Sequence, residues 1–113
     1  MIAKEAIYKI ERLSMSTYTP DKWVLINIKV GEESIQKVLG GWYGGYLNGD
    51  SWRLNSGVKE TIDHGEYFEF KGYSGSSYIC YKHSQGMSSY MNQIYEAMSS
   101  KKSNTTEMEI VTL

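Results

Sequence analysis

The chain has 113 residues, of which 41% are hydrophobic and 13% aromatic, with 12 basic against 13 acidic side chains for a net charge of −1. That length suits one domain around one core, and that composition excludes a low-complexity disordered chain. The near-neutral total supplies no electrostatic footprint for nucleic acid and also excludes an acidic mimic of DNA.

Ten tyrosines against two phenylalanines predict a thin core with much amphipathic surface, because tyrosine favours positions with one end wet. The lone Cys80 cannot close an intrachain disulfide. Residues 1–12 interleave charged and apolar side chains and offer no apolar secretory segment. No apolar run approaches the roughly 18 residues of a membrane span. The expectation is a soluble cytoplasmic protein with no membrane partner.

Residues 4–18 fit two periods. Ile7, Ile10 and Leu13 recur every third residue as in a helix, whereas Tyr8, Ile10 and Arg12 alternate, and the Ser/Thr-rich end favours a strand. Thr19-Pro20-Asp21-Lys22 reads as a turn. From Trp23 to Val30 the chain alternates: Val24, Ile26, Ile28 and Val30 take one face, Trp23, Leu25, Asn27 and Lys29 the other. Residues 31–34 make a hairpin connection, and Ile35 to Trp42 returns as the partner strand.

Asn48-Gly49 signals a further turn, followed by short strands at Ser51–Leu54 and Val58–Ile62. Glu66–Lys71 and Ser77–His83 flank a Gly/Ser turn and form a second hairpin, with Phe68 and Phe70 on its core face. In residues 86–99, Met87, Tyr90, Met91, Ile94, Tyr95 and Met98 follow helical spacing, and Ser84 or Ser88 is placed to cap the start. That stripe is expected to cover a sheet face. A polar linker then leads to an edge strand over residues 107–113. The predicted fold is α+β: a single domain over residues 1–113, with a mostly antiparallel sheet of about five to seven strands packed by one C-terminal helix.

Catalytic chemistry finds little support. Cys80 and His83 would point to opposite faces of a strand, as would Glu66 and Glu69. A structural zinc site needs four ligands, and no serine stands in a nucleophile-elbow frame. The sequence predicts a protein without enzymatic activity, metal or cofactor.

The richest stretch runs from Gly40 to Gly57 and holds six of the eleven glycines and two of the three tryptophans. It lacks the Gly-Lys-Ser/Thr of a P-loop and lies between strands, unlike a dinucleotide fingerprint. Two readings remain for it: a sheet region where glycine relieves packing, or a surface for a ligand or partner. On the second reading the binding residues are Trp42, Tyr43, Tyr46, Asp50, Trp52, Arg53 and Asn55, with Tyr73 and Ser74 contributing. Aromatic rings would be rigid anchors, and Arg53 a forked donor to carboxylate or phosphate.

The run Lys37-Val-Leu-Gly-Gly-Trp-Tyr-Gly-Gly-Tyr-Leu-Asn-Gly-Asp-Ser-Trp-Arg-Leu-Asn-Ser-Gly57, with Gly72-Tyr-Ser-Gly-Ser and Gly86-Met-Ser, resembles small uncharacterised accessory proteins of tailed bacteriophages. The resemblance implies a non-enzymatic protein that acts by binding, and carries no catalytic residues to transfer. The leading expectation is a phage accessory factor that binds and modulates a host protein in the host cytoplasm. A binder of a nucleotide-like small molecule is the alternative, and a binder of single-stranded nucleic acid the second. Homo-oligomers through an edge strand are compatible with each.

Overall fold

Residues 22–26 explain the architecture. Trp23, Val24, Leu25 and Ile26 are all buried, so the strand that carries them has a protein layer on each face. The computed structural model describes residues 16–45 and 49–113. That strand, β2 (Lys22–Val30), pairs antiparallel with β3 (Glu33–Trp42) from Lys22↔Gly41 to Val30↔Glu33. Only Gly31 and Glu32 remain for the turn. Gly31 has φ 62°, the positive value that a II′ turn needs at its first central residue.

Six further strands complete the sheets: β1 (Thr17–Tyr18), β4 (Ser51–Leu54), β5 (Val58–Asp63), β6 (Tyr67–Gly72), β7 (Ser77–Tyr81) and β8 (Thr106–Val111). A central sheet has the order β4-β3-β2-β8, and an outer sheet β1-β7-β6-β5. All pairings between these strands are antiparallel except the short parallel contact of β1 with β7. Helix α1 (Ser89–Lys101) forms the third layer. The fold is α+β, as the sequence predicts, but the strands divide between two sheets. Alternation shows which face of a strand is apolar. It does not show which strands pair, and the switch occurs at Asn55–Gly57, where the chain leaves the central sheet for the outer one.

The two faces of β2 build two cores. Trp23 and Leu25 meet Val38, Phe70, Tyr78 and Cys80 between the sheets, with Phe68 packed at the margin. Val24 and Ile26 meet Leu39 and Met91 beneath the helix, with Met87, Ile94, Tyr95 and Met98 around them. Each large side chain sealed this way contributes about 1.5–3 kcal/mol of burial. The methionine stripe is therefore core. Ser88 caps the helix by accepting from the Met91 N–H at 3.2 Å.

The remaining expectations resolve locally. Thr17 and Tyr18 are extended, while residues 4–15 lie outside the described residues. The strand expected over 77–83 ends at Tyr81, because Lys82–Ser84 turn as a 3-10 helix. Among the described residues, no helix is long and apolar enough to cross a membrane.

Candidate functional site

The Gly-rich stretch begins inside the central sheet. Gly40 lies opposite Arg53 and Gly41 opposite Trp52, so each large residue of β4 faces a position without a side chain. The two glycines serve different layers. A Cβ on Gly40 would come within 3.0 Å of Pro20 Cβ, and one on Gly41 would run into Met91. These glycines admit close neighbours, which is the packing reading of the sequence.

Two carboxylates hold the described residues on either side of the segment that follows. Asp21 accepts from the Tyr43 N–H at 2.8 Å, and Asp50 from the Gly44 N–H at 3.3 Å. Gly44 packs against the carbonyl of Gly49, where a Cβ would have no room. The amides at positions 43 and 44, which an anion nest would use, are already filled by acidic side chains.

Alternation along β4 separates its two prominent residues. Trp52 lies on the helix-layer face with Leu54 and is 41% exposed. Arg53 takes the face toward the outer sheet, and its guanidinium carbon stands 4.4 Å above the ring of Tyr18. Tyr18 in turn leans on Tyr78, at 5.1 Å between centroids, and meets Trp42 edge-on at 6.3 Å. Trp42 fixes this row by donating its indole N–H to the Thr19 carbonyl at 3.0 Å. No carboxylate of the described residues is ion-paired with Arg53. Its fork is oriented by the ring beneath it and open to a partner.

The expected binding residues thus fall into separate places. Tyr43, Asp50, Trp52 and Arg53 lie along the β4 edge and the residues beside it, with Trp52 and Arg53 on opposite faces and Tyr43 56% exposed. Trp42 is half-buried and supports Tyr18 beneath Arg53. Asn55 does not belong to this surface: it is buried, and its Oδ1 accepts from the Val38 N–H at 2.8 Å, holding the crossover between sheets. Tyr73 and Ser74 sit elsewhere. Tyr73 packs at Gly57 beside Ile35, seven positions along β3 from Trp42 and so roughly 23 Å away. Tyr46 lies outside the described residues.

Two contributors are absent from the sequence reading. Tyr18 orients Arg53, and Asp21 holds Tyr43. Asp21 was legible only as a turn residue, and Tyr18 gains its place through the β1–β7 pairing, which no local pattern announces.

The groups with catalytic potential are engaged elsewhere. Cys80 is buried between the sheets, and desolvation pushes its thiol well above the ordinary range, against thiolate chemistry. His83 is exposed and stacks on Tyr81 at 5.6 Å, while His64 meets Glu69 at 2.9 Å. Among the described residues no three His, Cys, Asp or Glu side chains converge as a metal site would require.

No family model, curated protein or solved structure matches this chain.

Proposed function

We propose that this chain is a non-enzymatic binding protein that engages a protein partner through the β4 edge. One observation carries this reading: Tyr43, Trp52 and an Arg53 without a carboxylate partner are all exposed at one edge of the central sheet, Trp52 on its helix-layer side and Arg53 on the other. Exposed Trp, Tyr and Arg are the residue types that dominate binding energies at protein interfaces. The Tyr18 ring orients Arg53 and Asp21 holds the Tyr43 backbone before any partner arrives, so less entropy is lost on binding.

The nucleotide-like ligand is the weaker reading, because Asp21 and Asp50 fill the amides that phosphate would use and add negative charge beside them. The resemblance to phage accessory proteins supplies the partner class, a host protein met in the cytoplasm. Paired substitutions test the proposal. Trp52→Ala with Arg53→Ala should leave unfolding unchanged within about 1 kcal/mol, since both side chains are exposed, while abolishing capture of the partner from host lysate. Undiminished capture by the folded double variant would overturn it.

A further inference from the structure

The opposite edge of the central sheet carries a second feature, independent of the β4 surface. Strand β8 pairs with β2 from Leu25↔Val111 to Val30↔Thr106, and no described strand pairs with its other side. The register sorts its side chains. Glu107 and Glu109 stand beside Lys29 and Asn27, on the face toward the outer sheet, where that sheet no longer covers β2. An open recess of about 470 Å³ lies there, lined by Asn27, Lys29, Glu107, Met108 and Glu109. Met108 and Ile110 take the helix-layer face, and Ile110 remains 39% exposed.

A second copy of the chain is a poor occupant. Antiparallel self-pairing that keeps the two faces in register must centre on one residue of β8. The two centres that engage five of the six residues both oppose like charges: Met108 sets Glu107 against Glu109 of the other copy, and Glu109 is set against itself, while a centre on Glu107 or Ile110 engages only three. Like charges directly opposite destabilise a pair. The same two glutamates favour basic side chains, with one lysine, Lys29, on their face and no carboxylate within 4.0 Å of it among the described residues.

We propose that β8 is an acceptor edge for an extended peptide of alternating basic and apolar residues. Main-chain hydrogen bonds extend the central sheet by one strand. The peptide's basic side chains enter the recess against Glu107 and Glu109, and its apolar ones continue the Met108–Ile110 face.

The test is an NMR titration of the full chain with a short synthetic peptide alternating lysine and valine, and with its glutamate–valine counterpart. The lysine peptide should shift and protect amides of Thr106–Val111, weaken roughly tenfold against the variant carrying Glu107→Gln and Glu109→Gln, and weaken again with salt. Amide spectra of the variant establish that its fold is intact, as two exposed substitutions allow. Equal binding of both peptides, unchanged affinity of the glutamine variant, or shifts confined to other strands would overturn the proposal. A concentration-dependent dimer formed through β8 would overturn it too.

Discussion

Two tryptophans of this chain show how differently one residue type can be used. Trp23 has no exposed surface and donates its indole N–H to the Tyr81 carbonyl at 2.7 Å, tying the central sheet to the outer one. Trp52 stands 41% exposed on an edge strand. Trp23→Ala should cost about 3–5 kcal/mol in chemical denaturation, from the cavity and the lost hydrogen bond. Trp52→Ala should cost less than about 1 kcal/mol in the same experiment. Asn55 behaves as a core residue despite its polarity. Asn55→Ala should destabilise by about 1–3 kcal/mol, since the buried Val38 N–H loses its acceptor, and calorimetry would measure it. The sequence puts Trp23 on a strand face with Leu25, Asn27 and Lys29 and assigns neither face to the core; its burial comes from the outer sheet packed on that face. It offers Asn55 as a surface residue, because nothing local reveals that the chain changes sheets there.

Among the elements, the β2–β3 hairpin and α1 were legible because their periods are long and their ends are marked by Gly31 and Ser88. The Gly40-Gly41 pair was open to two interpretations. Its meaning depends on what approaches from above and below the sheet, and that is set by Pro20 and Met91, far away in sequence. Gly41→Ala therefore tests the contact between helix and sheet. Its Cβ meets the Sδ and Cγ of Met91, midway along that side chain, so α1 must lift or Met91 must change rotamer. The expected loss is about 1–3 kcal/mol, with faster hydrogen exchange in α1 than in the outer sheet. Uniform exchange across both layers would show that the helix is not seated through this contact.

Across the whole molecule, the three-layer order places neutral titratable groups between the sheets. Desolvation raises the Tyr78 phenol to about 12, and it raises the Cys80 thiol as well. Both groups are neutral in the folded protein and ionise more readily once unfolding exposes them. Their contribution to stability is thus complete below their unfolded values, about 8.5 for the thiol and about 10 for the phenol, and is lost as pH rises through the folded values. Melting temperature should hold up to about pH 8 and fall steeply between about pH 10 and 12. Tyr78→Phe should flatten the fall above pH 10, and an unchanged profile in that variant would contradict the buried position of the phenol. The layer order itself was beyond the sequence, because pairing of β1 with β7 and of β8 with β2 joins segments separated by most of the chain.

The β4 edge is where the fold and the proposed function meet, and quantitative capture from host lysate tests that meeting most directly. The wild-type chain should retain one protein in stoichiometric amount, and the variant carrying Tyr43→Ala and Trp52→Ala should lose it with its melting temperature kept within a few degrees. Retention of the same protein by that folded variant would contradict the account, as would a retained nucleotide with no protein at all.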